Sequence, residues 1–240
     1  KKIIFPVSKP FITKKDIFAV NKTLKSGWIS SSGTETKKFE SEFSKFVDRK
    51  YSITVANGTA ALEIAVKALG IKKDDEVLIP NFTIISNALA VIRQQAKPVL
   101  IDCDLENWNV KIEDIEKKIT KKTKAIMLIH VLSNSTDMDE LLKLKKKYNL
   151  ILIEDTCESL GAKYKNKYLG ALGEFSSFSF YVSHQITSGE GGMICCKDVD
   201  DMQIIKSLRA HGWSRGLKNE KAIAIKNRDL DPRFIFYNSS

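Results

Sequence analysis

"NGTAALEIAVKALGIKKDDEVLIPNFT", Asn57 to Thr83, decides the fold. Asn57 and Gly58 make a turn, Thr59 opens a run with helical periodicity, and Gly70 is a sensible helix stop. "DEVLIP" follows at once as an apolar run of strand length. Helix then strand is half of a repeating unit, and the alternation continues downstream. "KPVLIDCD", "KAIMLIH", "LILIED", "SFSFYVS" and "GGMICC" are further apolar runs. Most are continuous rather than alternating, as in strands covered on both faces. "IISNALAVIRQ", "KIEDIEKKI" and "DMDELLKLKKKYN" read as helices, the last capped by Asp137. Over Gly58 to Asp198 this predicts an α/β domain, a mostly parallel central sheet flanked by helices. Ligands of such sheets bind beyond the carboxyl ends of the strands.

Composition narrows the class. A chain of 240 residues with 43% hydrophobic residues can bury a sizeable core. Its apolar runs are too short to cross a bilayer, so no membrane partner is expected. The N-terminal "KKIIFPVSKPF" lacks the long apolar core and cleavage site of a signal peptide. Cys103, Cys157, Cys195 and Cys196 show no CxxC or CxC spacing. That argues against a metal or iron–sulfur site and for reduced thiols in a cytoplasmic protein. The net charge of +10 suits nucleic acid or an anionic small molecule. The lysines are dispersed, however, and the densest groups, "KKITKKTK" and "KLKKKYN", read as polar helix ends or faces. No RNA-type aromatic motif is interleaved with them, so no nucleic-acid partner is expected. Gly216 to Ser240 is polar and carries no clear strand or helix signal.

Four groups of residues could carry chemistry. In "VANGTAALEIAV" the helix opening at Thr59 offers free amides and a dipole to an anion, or is simply a capped helix start. In "LILIEDTCESLGA" Glu154 and Asp155 end a strand, where two carboxylates repel unless one meets a cation or a hydrogen-bond donor. Asp155 and Glu158 could equally cap a following helix. Ser179, Ser183 and His184 fall at the end of "SFSFYVS", ahead of "SGEGG", whose glycines permit close backbone approach. "HGWSRG" adds His211 and Arg215, four apart, as ligand contacts if helical or as loop residues, which Gly212 favours. A phosphate-type helix start, a strand-end Asp and a Ser-plus-basic strand end, in that order, would hold a phosphorylated, cationic heterocycle.

These blocks, with "SGWISSSGTETKKFESEF", "TKAIMLIH", "IEDTCESLGAKYKNKYLG" and "SLRAHGW", resemble the sugar aminotransferase family named for DegT, DnrJ, EryC1 and StrS. The resemblance implies a fold-type-I, pyridoxal phosphate-dependent large domain over 31–215. Residues 1–30 would lead into it, and 216–240 would begin the connection to a small domain that is missing here. Thr59 and Ala60 would hold the cofactor phosphate with Ser179, Asp155 would bind the ring nitrogen, and Glu158 would lie near the phenolic oxygen. Ile84 stands where members often stack an aromatic residue on the ring. His184 stands where they carry the Schiff-base lysine. An imidazole cannot make that bond, but its unperturbed pKa of about 6.5 suits proton transfer. That substitution resembles the dehydratase branch of the family. It implies pyridoxal and pyridoxamine 5'-phosphate, glutamate as amino donor, and loss of the 3-hydroxyl from a 4-keto-6-deoxy nucleotide sugar of the GDP-4-keto-6-deoxymannose type. His184 would be the acid and base, and His211 and Arg215 would be substrate contacts. A homodimer is implied too. The alternatives are a nucleotide-sugar aminotransferase or a truncated homologue without activity.

Overall fold

The computed structural model describes residues 8–227, 229–231, 235 and 236. The first seven residues, part of the N-terminal reading above, and most of 232–240 lie outside the described residues. Helices α1 (Lys14–Ser26) and α2 (Thr34–Phe46) precede strand β1 (Tyr51–Val55). The alternation then runs α3 (Gly58–Ala68), β2 (Glu76–Pro80), α4 (Ile85–Ile92), β3 (Lys97–Ile101), α5 (Ile112–Lys118), β4 (Thr123–Ile129), α6 (Met138–Tyr148) and β5 (Ile151–Asp155). A small hairpin, β6 (Lys163–Tyr164) with β7 (Lys167–Tyr168), leads to β8 (Phe175–Ser179) and β9 (Gly192–Cys196). Helices α7 (Val199–Arg209) and α8 (Glu220–Lys226) follow.

The main sheet has the order β1-β9-β8-β5-β4-β2-β3. β9 runs antiparallel to both its neighbours, and the other pairings are parallel. The α/β expectation is therefore met. The continuous apolar strands divide by pleat between two cores. Ala125, Met127 and Ile153 join Leu62, Val66 and Ile205 of α3 and α7. Ile126, Leu128 and Leu152 face the other way, onto Ile115, Leu141 and Leu144 of α5 and α6. A strand covered on both sides needs apolar residues at both parities, which is why these runs do not alternate.

Two elements escape a local reading. β1 is a five-residue run paired with β9, far away in sequence, Tyr51 opposite Cys196. α8 lies in the polar tail and is held by Ile223 against Leu217 and Ile235. "SFSFYVS" is also shorter as a strand than its composition suggests. β8 stops at Ser179, where its partner β9 begins at Gly192. Phe180 then turns into a third cluster with Phe43 of α2, ring centroids 5.5 Å apart. Among the described residues no helix is long and apolar enough to cross a membrane.

Candidate active site

A cavity of about 560 Å³ lies beyond the carboxyl ends of β8, β5, β4 and β2. Its volume is in the range of small-molecule sites. Asp155, the last residue of β5, sits at its floor. Its Oδ1 accepts from Ser177 Oγ at 2.9 Å and from the Cys157 amide at 3.2 Å. Its Oδ2 accepts from Asn87 Nδ2 at 3.0 Å, and Asn87 in turn donates to Thr83 Oγ1 at 2.8 Å. The carboxylate is almost fully buried, so these donors set its orientation. Such a group is placed to accept from a protonated ring nitrogen.

Glu154, one residue earlier, points to the opposite face of the sheet. His130 Nε2 lies 2.9 Å from its Oε2. The amides of Gly170, Leu172 and Gly173 donate to it at 2.8, 2.8 and 2.5 Å. Burial pushes the Glu154 carboxyl up, but the His130 hydrogen bond and charge, with the Gly173 and Gly170 amides, outweigh it and hold it below its ordinary value. The repulsion expected between the two carboxylates is met by separate sets of donors. Glu158 caps no helix, because a turn follows β5.

The start of α3 forms the next wall. Asn57 caps it, its Oδ1 accepting from the Ala60 amide at 2.8 Å. The Ala60 amide meets the Asn57 cap, and Ala60 is not among the residues lining the cavity. The first-turn amides of Gly58 and Thr59 remain as donors, at the positive end of the helix. Thr59 Oγ1 lies 2.9 Å from Ser86 Oγ at the start of α4, so two helix N-termini converge here. Gly58 allows the approach. A Cβ there would lie 2.9 Å from Cys157 Sγ and 3.0 Å from the Ser179 Cβ. Gly192 does the same from β9, where a Cβ would come within 2.4 Å of the Asn57 carbonyl. Ser179 lines the cavity, its Oγ accepting from the Tyr181 amide at 3.3 Å. Ile84, the cap residue of α4, is 65% exposed and faces the same space.

His184 enters from a turn, five residues past the end of β8 rather than at the strand end itself. Its amide donates to the Tyr181 carbonyl at 3.1 Å, and the two rings stand 6.4 Å apart, edge to face. Gln185 Nε2 donates to the Glu158 carbonyl at 2.7 Å, tying the turn to the end of β5. Glu158 also lines the cavity, with Oε2 3.4 Å from the Leu132 amide. His184 is half-buried and its imidazole is open to the cavity. No lysine or arginine is among the described residues lining the cavity.

His211 and Arg215 lie on a loop rather than a helix, as Gly212 suggests. The structure does not bring them to this cavity. Arg215 instead places its guanidinium 5.4 Å from the centre of the Trp213 ring. The sequence reading missed Asn87, Ser86, Tyr181, Phe82 and Glu190. Ser177 could have been found, because it shares the Ser179 face of β8 by the period-two rule. Asn87, a fully buried polar residue within an apolar helix, carried a weaker signal. Among the described residues no three His, Cys, Asp or Glu side chains cluster as a metal site.

The residues present fit a phosphorylated pyridine. Neutral amides and hydroxyls at the helix start suit an anionic group, and the buried Asp155 carboxylate with the other lining carboxylates suits a cationic one. Comparison with known proteins agrees. Residues 10–228 match the DegT/DnrJ/EryC1/StrS aminotransferase family. GDP-perosamine synthase of Escherichia coli O157:H7 is 45% identical over 193 residues, 80% of this chain and 53% of that protein. A solved aminotransferase from Psychrobacter cryohalolentis matches with a TM-score of 0.85 at 33% identity, over 96% of this chain and 57% of its own. The E. coli GDP-4-keto-6-deoxy-D-mannose-3-dehydratase, solved with bound hydrated PLP, matches with a TM-score of 0.87 at 30% identity, over 91% and 58%. The chain spans about half the length of the curated relatives it matches. With its strand order, its Asp155 floor and its helix-start cradle in place, the chain belongs to the DegT/DnrJ/EryC1/StrS aminotransferase family.

Proposed function

We propose that this chain binds pyridoxal and pyridoxamine 5'-phosphate and removes the 3-hydroxyl of a 4-keto-6-deoxy nucleotide sugar of the GDP-4-keto-6-deoxymannose type. One observation carries the reading. His184 faces a cavity with no lysine among its described lining residues, so the family's covalent anchor has no candidate there. Gly58, Thr59 and Ser179 would hold the phosphate, Asp155 the ring nitrogen, and Ile84 one ring face. Glu158 would lie toward the phenolic oxygen. When bound, the protonated ring serves as an electron sink. His184 would take a proton from the cofactor's methylene carbon and deliver one to the departing oxygen at carbon 3. A group so placed contributes roughly 10²- to 10⁴-fold. Water would return the 4-keto group and release the nitrogen as ammonia, and glutamate would restore the cofactor's amine after each turnover.

A second copy of the chain is part of this reading. α1 buries none of its residues, and Phe11, Phe18, Val20, Trp28 and Ile29, on and beside it, are each exposed. Such apolar area is best covered by a homodimer. The four free thiols suit a reducing cytoplasm.

Similarity to GDP-perosamine synthases supports a second reading, amino transfer to carbon 4. Incubation with GDP-4-keto-6-deoxymannose, pyridoxal phosphate and glutamate, followed by mass analysis, separates them. A 3-deoxy product supports dehydration, and an amino sugar overturns it. Borohydride reduction of the cofactor-loaded protein should leave no covalent adduct. His184→Asn should retain the cofactor and lose the product.

A further inference from the structure

Phe82 and Trp108 form an aromatic pair that the roles above leave unused. Phe82 follows β2 and lines the cavity. Trp108 belongs to the loop after β3, and the ring centroids are 4.9 Å apart, with the planes tilted by 38°. Both rings stay accessible, 44% and 46% exposed. Trp108 has φ 63, a left-handed conformation that is uncommon for a bulky residue. Its loop is nevertheless firmly held. The Trp108 amide donates to the Asp104 carbonyl at 2.9 Å, and the Asp104 amide to the Asn109 carbonyl at 2.8 Å. Asp104 Oδ1 accepts from Glu106 at 2.8 Å, and Lys111 pairs with Asp104 at 2.9 Å. A strained backbone that keeps a large ring out of the core points to a use for the exposed face.

Its position suggests the use. The order β5-β4-β2-β3 sets the end of β3, whose loop carries Trp108, three strand spacings, ~14 Å, from the end of β5 that carries Asp155. A ring resting on Asp155 cannot reach that far. A sugar, a diphosphate and a nucleoside in line can. We propose that Phe82 and Trp108 stack the base of the nucleoside diphosphate portion of the substrate. This rests on the nucleotide-sugar reading above. Every base has a π-face, so stacking accounts for a nucleoside without selecting guanine.

The test is GDP binding to the cofactor-loaded protein, followed by calorimetry and by intrinsic fluorescence in a Trp28→Phe, Trp213→Phe background that isolates Trp108. GDP should quench Trp108 saturably. Phe82→Leu and Trp108→Leu should each weaken GDP roughly 5- to 100-fold. Inorganic pyrophosphate binding and cofactor absorbance should not change. Trp108→Phe keeps a stacking face and should retain most of the affinity, which guards against a Leu variant that fails to fold. Equal weakening of GDP and pyrophosphate would overturn the inference, as would unchanged GDP affinity. Loss of cofactor binding in Phe82→Leu would overturn it in favour of a lid over the pyridine ring. Failure of GDP to bind while the cofactor still loads would sink this inference and leave the cofactor site standing.

Discussion

Glu154 and Asp155 are neighbours in the chain, yet they serve two different regions of the molecule. On one side of β5, Glu154 is saturated by His130 and three loop amides, with no lonely oxygen and no path to a ligand. It staples the 170–173 loop to the sheet. On the other side, Asp155 accepts three hydrogen bonds and still borders the cavity. A buried carboxylate whose donors close around it is a structural anchor, and one whose donors leave an open side is a binding group. Both are buried carboxylates, so what sets them apart is whether the surrounding donors close around the group or leave one side open.

The sharpest way to break this comparison is Glu154→Ala. It strands His130 and the amides of Gly170, Leu172 and Gly173, so we expect a loss of about 3–5 kcal/mol. For a chain of this size, thermal denaturation should show a Tm lower by roughly 6 to 20 °C. Cofactor affinity of the protein that remains folded should change little. Asp155→Ala should do the reverse. Equilibrium titration should show cofactor binding weakened on the order of 10²-fold, with a smaller Tm change than Glu154→Ala. If both substitutions moved the same observable, the division of labour would be wrong.

Acid sharpens the contrast. Glu154 is held below its ordinary value of 4.5, so its contribution is present above that pH and is lost as pH falls through the folded value. Urea midpoints taken from about pH 6 to pH 3 should decline more steeply for the native chain than for Glu154→Gln, which has no carboxylate to protonate at that position. The smallest effect is expected from Asn87→Ala. It removes one of three donors to Asp155 and should weaken cofactor binding roughly fivefold, about 1 kcal/mol, with the affinity measured as for Asp155→Ala.

Much of the fold was legible because it is written locally. The helix from Asn57 with its stop at Gly70, the Asp137 cap and the continuous apolar strands all depend on neighbours a few residues apart. β1 was not legible. Five residues paired with a strand far along the chain leave no local trace. At the site, Thr59, Asp155, Glu158, Ser179, Ile84 and His184 do converge on one cavity. The acceptor that the Ala60 amide meets, Asn57 Oδ1, is visible only once the turn is folded. His211 and Arg215 lie away from this cavity, and spacing along a loop gives no direction from which that could be read.

By itself, the order of residues determined most element types from Gly58 to Asp198, a mostly parallel sheet, the family and the unusual imidazole at position 184. All of these follow from short-range periodicity or from residue identity. Tertiary structure alone decided which of two adjacent carboxylates meets the cavity, which amides stay free at the start of α3, and that Phe82 and Trp108 meet as a tilted pair. Those outcomes depend on strand order and on hydrogen-bond competition between segments remote in the chain, and no local pattern encodes either.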